Sequence, residues 1–218
     1  MGLRGQAEII STVIIVSVAV AIALSVIYYL IPVLTQNRVL YQLQATLAEI
    51  AAGTRTAVVY EGNYTVNGID VYTVVFSLSN LGTVGEVAYY AAVMAFTEDM
   101  LPVGWANYTM YRLNGTAAPA AVNDTGWVSL AADAFPVPAG LVYLYIRDGY
   151  YRVDQLRTFD PGFGSARLTP LGIIKPGEAE IFRADIYGYN TTSVRYALVV
   201  FVEANGNFFE VRRIYLRG

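Results

Sequence analysis

An uncharged stretch near the N-terminus constrains this chain more than any other feature of its sequence. No Asp, Glu, Lys or Arg occurs from Ile9 to Asn37, and Ile, Val, Ala and Leu dominate from Ile9 to Leu34. A bilayer span needs about 20 apolar residues, whereas the apolar region of a secretory signal peptide is shorter. A backbone in lipid or in a packed bundle must satisfy its own hydrogen bonds. The stretch therefore predicts a helix that stays on the mature chain.

The residues after this stretch predict that the helix continues. Apolar residues recur at spacings of three and four, at Leu40, Leu43, Leu47 and Ile50. This is the pattern of an amphipathic helix. Gly53 predicts a C-cap, and a polar break is expected over Thr54–Thr56. The expected helix runs from about Gln6 to Ala52, and Pro32 inside it predicts a kink or local melting.

The composition excludes most enzyme chemistry. The chain has no cysteine and no histidine, which removes thiolate and imidazole ligands, thiol nucleophiles and imidazole bases. We expect no enzyme activity, no cofactor and no metal. A surface glycosidase remains an alternative, since that reaction needs only two carboxylates.

Two kinds of binding site are also not expected from the charges. The net charge is −3 and the cationic residues are scattered, so no patch favours nucleic acid. Four aspartates are candidate calcium ligands: Asp148, Asp154, Asp160 and Asp185. No Asp-x-Asp-x-Asp-Gly loop is present. Asp160 is interpreted as part of a turn, and the others as solvated strand edges.

The remainder of the chain predicts antiparallel β-structure. Residues Val71–Leu78 and Val194–Glu203 are rich in β-branched and aromatic residues with a period of two. Three hairpin turns of type I′ are predicted, at Asn67-Gly68, Asp148-Gly149 and Asn205-Gly206. With Glu86–Phe96 and Ala179–Tyr187, about seven or more strands are expected, as in a β-sandwich. Leu101–Pro138, rich in Ala, Asn, Pro and Gly, is interpreted as a long loop.

Five Asn-x-Ser/Thr sequons occur after the predicted helix. They lie at Asn63, Asn107, Asn114, Asn123 and Asn190. Such sequons are acceptors for N-linked sugar in exported proteins. Their number predicts an extracellular, glycosylated surface.

The N-terminus resembles a known family. The residues Met1-Gly2-Leu3-Arg4-Gly5, followed by Gln6-Ala7-Glu8-Ile9-Ile10-Ser11-Thr12, resemble the class III leader of archaeal type IV pilins and archaellins. The resemblance implies cleavage by a prepilin peptidase after Gly5, which leaves Gln6 first, with cleavage after Ala7 as the alternative. Glu8 is similar to the acidic residue that bacterial pilins use at a subunit contact, although its spacing differs; the alternative is a solvated residue at the membrane surface.

Two turns extend the resemblance beyond the helix. Ser79-Asn80-Leu81-Gly82-Thr83 and Lys175-Pro176-Gly177-Glu178 resemble turns in the immunoglobulin-like heads of archaellins and archaeal pilins. The expected fold class is α+β, a long hydrophobic N-terminal helix followed by an antiparallel immunoglobulin-like sandwich. The expected domains are a leader at 1–5, a membrane and filament-core helix at 6–53 and an extracellular head at 54–218.

The resemblance implies a structural subunit of an extracellular type IV pilus-like filament that serves surface attachment. Its expected partners are further copies of the chain, the prepilin peptidase, an assembly ATPase, a membrane platform, and the cytoplasmic membrane before assembly. Glu8 and Pro32 are the residues assigned to assembly. Two alternatives stay open: an archaellum filament subunit, and a membrane-anchored extracellular binding protein that does not polymerise.

Overall fold

The computed structural model describes residues 3–66, 68–114, 126–160, 167–189 and 194–217. Within the N-terminal helix, side chains are described for residues 15–30 and 41–53. The chain divides into two compact units, Met1–Ala45 and Thr46–Gly218. The second unit contains the last two turns of the helix and all of the strands.

One α-helix and thirteen strands make up the described secondary structure, together with two short 3₁₀ helices. The α-helix, α1, begins at Leu3 and ends at Gly53. The 3₁₀ helices are Ala139–Leu141 and Val153–Gln155. The strands are β1 (Thr54–Val66), β2 (Ile69–Asn80), β3 (Val87–Phe96), β4 (Pro102–Trp105), β5 (Asn107–Leu113), β6 (Trp127–Ser129), β7 (Phe135–Pro136), β8 (Val142–Ile146), β9 (Gly149–Arg152), β10 (Arg167–Ile174), β11 (Ala179–Tyr187), β12 (Arg195–Ala204) and β13 (Asn207–Tyr215).

The smaller sheet has five strands in the order β1-β2-β11-β5-β6, and all its pairs are antiparallel. Its core face carries Phe76 and Phe182, which are fully buried and stack with ring centroids 5.6 Å apart. Strand β1 is an edge strand with a bulge between Val58 and Tyr60. Such a bulge twists an edge strand and makes it a poorer template for pairing with another chain.

The larger sheet has eight strands in the order β7-β10-β3-β12-β13-β8-β9, with β4 paired to β3. Strands β13 and β8 are parallel, so the expectation of a purely antiparallel sheet is wrong at this pair. A parallel pair requires a crossover connection in place of a tight turn. Seven consecutive residues of β12, Tyr196–Val202, are buried. The sheet is therefore covered on both faces along β12, whereas the predicted period of two would leave one face of the strand exposed.

The segment interpreted as a loop covers the second face of the larger sheet. Its strands β4 and β7, with the residues that follow, bring Trp105, Val137 and Leu144 onto Met94 and Phe201. Trp105 is only 2% exposed. Strands β4 and β7 are only four and two residues long and each contains Pro, so they have no clear period-two pattern.

The expected fold class of α+β with an immunoglobulin-like sandwich is wrong. The described chain is mainly β, because the segment expected to be a loop adds short strands and no second α-helix. The sheets of five and eight strands exceed an immunoglobulin domain of seven to nine. Among the described residues, no helix is long and apolar enough to cross a membrane.

Two local predictions also differ from the structure. The loop between β8 and β9 is Arg147-Asp148, with Arg147 at φ 59°, and Gly149 already belongs to β9. The β12–β13 turn is confirmed, because Asn205 and Gly206 have φ values of 54° and 75° as type I′ requires. The local melting predicted at Pro32 as one alternative does not occur, since α1 is helical throughout its length; the predicted kink stays a prediction.

Candidate functional site

The exposed side chains of α1 form the first part of the candidate site. Every side chain from Ile15 to Leu30 is exposed, and the large apolar ones include Val20 at 51% and Leu24 at 61%. Tyr28 and Tyr29 extend this surface with a T-shaped ring contact. Isolated apolar residues are common on protein surfaces, but a contiguous apolar surface marks a place where another molecule binds.

The second part is the junction, which we define as residues 46–54 of the chain with the side chains and backbone that contact them. Leu47 is 1% exposed and anchors the last turns of α1. Glu49 accepts a hydrogen bond from the Thr83 hydroxyl at 2.5 Å. The end of α1 is thus packed by an apolar side chain and held by a polar one.

Gly53 and Gly82 bring two backbones into contact at the junction. A Cβ atom on Gly53 would lie 2.4 Å from Gly82 Cα and 2.6 Å from Gly82 N, which no real Cβ tolerates. The Leu81 amide donates to the Gly53 carbonyl at 2.8 Å. Gly53 was predicted as a C-cap, but its φ is not positive. The requirement for glycine is therefore space, and β1 follows at once instead of the expected polar break.

Thr54 connects both sheets to the end of α1. Its side chain is fully buried; its hydroxyl donates to the Ile50 carbonyl at 2.7 Å and lies 3.0 Å from the Tyr89 hydroxyl in β3. Its carbonyl accepts a hydrogen bond from Arg212 Nε in β13 at 2.8 Å. Thr54 belongs to the smaller sheet, and Tyr89 and Arg212 to the larger one. One residue thus fixes the junction to three strands.

Asn80 joins the two turns that carried the family resemblance. Its side-chain amide donates to the carbonyls of Gly85 and Ile174 at 2.8 and 3.0 Å, and its side-chain oxygen accepts from the Gly82 amide at 3.0 Å. Its backbone bonds to Gly177 and Glu178. Asn80 is 2% exposed, and its hydrogen bonds hold the Gly82 turn against Gly53.

Two buried ion pairs were not foreseen from the sequence. Asp185, interpreted as solvated, is fully buried and accepts hydrogen bonds from Arg183 and from Thr73 at 2.6–2.8 Å. Glu210 is buried beside Arg213, whose guanidinium also lies 4.6 Å from the Phe96 ring centroid. The first pair could have been predicted from the sequence. Arg183 and Asp185 have opposite charges and are two residues apart on a strand, so their side chains share one face.

Burial shifts the acid–base properties of several groups around the sheets. It raises the pKa of the Glu210 carboxyl, an effect that the Arg213 guanidinium opposes. It also raises the pKa of Tyr150 to about 12, with the nearby Glu210 charge adding to the effect. The Tyr150 hydroxyl donates to the Glu210 carbonyl at 2.9 Å. The hydrogen bond joins β9, at the edge of the larger sheet, to β13.

The described residues show no group of three acidic side chains placed to hold a metal ion. Of the four aspartates considered, Asp154 pairs with Arg152 at 2.6 Å, and Asp185 is buried in its ion pair. Asp148 lies in the β8–β9 turn, and the Asp160 amide donates to the Val103 carbonyl. The four aspartates therefore lie in separate parts of the structure and do not come together in one site.

The sequence-predicted sites fall in different parts of the chain. Three sequon asparagines, Asn63, Asn107 and Asn114, are described and exposed. Asn123 and Asn190 lie outside the described residues. The residues assigned to cleavage and assembly, Gly5, Gln6, Glu8 and Pro32, lie in α1 and their side chains are outside the described part.

No protein-family model matches the chain, and a search of curated proteins finds no significant match.

Proposed function

We propose that the chain is a structural subunit of an extracellular type IV pilus-like filament, assembled through α1. The observation that carries the proposal is the run of exposed apolar side chains from Ile15 to Leu30. In an isolated subunit these side chains contact water, which is unfavourable by roughly 25 cal/mol per Å² of apolar surface. A second copy of α1 is a suitable cover, since the stretch has no charge that a neighbour would have to neutralise.

The junction supports the same proposal. A filament subunit must hold its assembly helix firmly to the domain that faces the outside. Gly53 against Gly82, the buried Leu47 and the Thr54 hydrogen bonds provide such an attachment. The resemblance to archaeal pilins and archaellins agrees with a subunit in which the helix assembles the filament and the β-domain faces the outside. Cleavage after Gly5, the assembly roles of Glu8 and Pro32, and a membrane-held form before assembly stay predictions.

Substitution of Val20 tests the proposal. Val20→Asp places one charge in every copy of α1, and a packed helix bundle would bury each charge without a partner at a cost of several kcal/mol per subunit. We expect electron microscopy of cells expressing the variant to show no filaments, while its β-domain retains a cooperative melt. Val20→Leu, which keeps the site apolar, should assemble normally.

Two results would contradict the proposal. Filaments of normal number from Val20→Asp cells would show that α1 does not form the contacts between subunits. If the unchanged chain remains on cells and never forms filaments, the anchored binding protein becomes the better interpretation. Rotating filaments that drive swimming would favour the archaellum alternative.

A further inference from the structure

Two exposed sequon asparagines lie at the same end of the smaller sheet. Tyr64 pairs with Val71, Val71 with Tyr187, and Tyr187 with Asn107, and Asn63 precedes Tyr64. The junction lies at the other end, where Thr54 pairs with Asn80. The sequence alone separates Asn63 from Asn107 by more than forty residues, so only the strand pairing reveals that they lie at the same end of one sheet.

Asn107 and Tyr187 share the outward face of the smaller sheet. Directly paired residues of antiparallel strands point to the same face, with Cβ atoms about 4.5–5.5 Å apart. The next row along the strands contains Ile186, which is fully buried, and Tyr108, whose hydroxyl donates to the Ala91 carbonyl of the larger sheet at 3.0 Å. That row points inward, so Asn107 and Tyr187 point outward.

The Tyr187 ring is held along β5 beside the sequon. The Thr109 hydroxyl, which belongs to the sequon Asn107-Tyr108-Thr109, donates to the Tyr187 hydroxyl at 3.3 Å. Since the Tyr187 backbone is opposite Asn107 and its hydroxyl reaches Thr109, the ring extends along β5 from the asparagine. An aromatic ring therefore lies on the same face as Asn107 and in contact with the third residue of its sequon.

The side chains on the outward face next to Tyr187 contact one another. The Arg183 guanidinium lies 5.2 Å from the Tyr111 ring centroid and 5.7 Å from that of Tyr64. Arg183 is fixed in turn by Asp185, which also accepts from Thr73. Contacts of this kind restrict side-chain rotamers before a ligand arrives, which lowers the entropic cost of packing against them.

We propose that Asn107 carries an N-linked glycan whose first sugar ring packs against Tyr187. Attachment breaks the bond between the anomeric carbon and the phosphate of an activated glycosyl donor and joins that carbon to the Asn107 side-chain nitrogen. The phosphate leaves with the electron pair, and the proton lost from the amide goes to solvent. The apolar C–H face of the sugar then covers part of the tyrosine ring. The proposal rests on the extracellular location that the proposed function implies, and it does not require polymerisation.

A double-mutant cycle on the full chain tests this contact. The chain is expressed in cells that glycosylate Asn-x-Thr sites, purified in detergent and assayed for occupancy by mass spectrometry of peptides. Asn107→Gln should lower the Tm by about 2–4 °C in the chain with Tyr187 and by much less in a Tyr187→Leu background. Tyr187→Phe keeps the ring but loses the hydrogen bond to Thr109, and should preserve most of the effect of Asn107→Gln.

Asn63→Gln is the matched control. Asn63 is exposed on edge strand β1 and pairs with Tyr72, whose ring is already stacked on Tyr189 with centroids 3.9 Å apart. Its effect on the Tm should be the same in the chain that keeps Tyr187 and in the Tyr187→Leu background. An equal loss from Asn107→Gln in both backgrounds, or an unoccupied Asn107, overturns the proposal.

A second measurement needs no change at Tyr187. Nitration of exposed tyrosines is followed by peptide mass spectrometry in the unchanged chain and in Asn107→Gln. The glycan should slow nitration of Tyr187 several-fold and leave that of Tyr151, on β9 of the larger sheet, unchanged. Equal nitration rates at Tyr187 would overturn the contact. Both experiments use unassembled chains, so their failure is distinct from a failure to form filaments.

Discussion

Tyr150 shows how a buried hydroxyl links the stability of the larger sheet to pH. Its pKa is raised from 10.0 to about 12 by burial and by the Glu210 charge. In the unfolded chain the phenol loses its proton near its ordinary pKa, whereas the folded chain keeps it neutral. The raised pKa therefore contributes stability that is fully present below pH 10 and is lost as the pH rises toward 12.

Replacing Tyr150 by Phe tests this dependence. The free energy of unfolding should fall by about 1 kcal/mol near neutral pH, because the hydrogen bond to Glu210 is lost. It should then fall less steeply above pH 10 than in the unchanged chain. Urea unfolding at several alkaline pH values measures both effects. Tyr151→Phe, on the same strand with a side chain 47% exposed, is the control; parallel pH profiles for Tyr150→Phe and the unchanged chain would contradict the prediction.

At the scale of elements, the close contact between the end of α1 and the Gly82 turn predicts that an alanine at position 53 is destabilising. Gly53→Ala must displace backbone, because the new Cβ would meet Gly82 Cα and N and not a flexible side chain. We expect a loss of about 1–3 kcal/mol, the range for overpacking. The denaturant midpoint of the full chain in detergent measures it.

Gly62→Ala is the control for that substitution. Its nearest contact would be the Tyr60 hydroxyl at 3.1 Å, the movable end of a side chain. Alanine in strand β1 should leave stability within about 0.5 kcal/mol. If Gly53→Ala were equally neutral, the two backbones would not be in contact as described.

Some elements could be predicted from the sequence, and the reasons differ. Strand β11 has the predicted bounds Ala179–Tyr187 because its apolar residues follow a Pro-Gly-Glu turn. The short strands β4 and β7 were missed, since tertiary contacts around Trp105 and Val137 hold them and local pattern does not. Burial of β12 on both faces was missed for a related reason, because a continuous apolar run was interpreted as alternation.

The junction shows the same limit for the candidate site. Both of its turns were singled out from the sequence, but their connection through Asn80 depends on three-dimensional contacts. The need for glycine at position 53 was foreseen for the wrong reason. The Arg183–Asp185 pair carried a usable signal in its spacing, whereas the pairing of Asn107 with Tyr187 carried none.

At the scale of the whole molecule, the compact unit that begins at Thr46 predicts where the chain can be cut. A fragment of residues 46–218 keeps the buried Leu47 and the Thr54 hydrogen bonds, and a fragment of residues 57–218 loses both. We expect the longer fragment to fold cooperatively and to be about 3–5 kcal/mol more stable in urea unfolding.

Leu47→Ala in the longer fragment separates the two contributions. It should account for about half of the difference in the free energy of unfolding, since burial of one leucine side chain contributes about 2–3 kcal/mol. Equal stability of the two fragments would mean that the last turns of α1 do not belong to the folded unit.

Thr54 has a mechanical consequence for any assembly that pulls on its subunits. Tension transmitted along α1 reaches the sheets at a residue that is bonded to β3 and β13 as well as lying in β1. The load is therefore divided between two sheets at Thr54, and rupture there requires several hydrogen bonds to fail together.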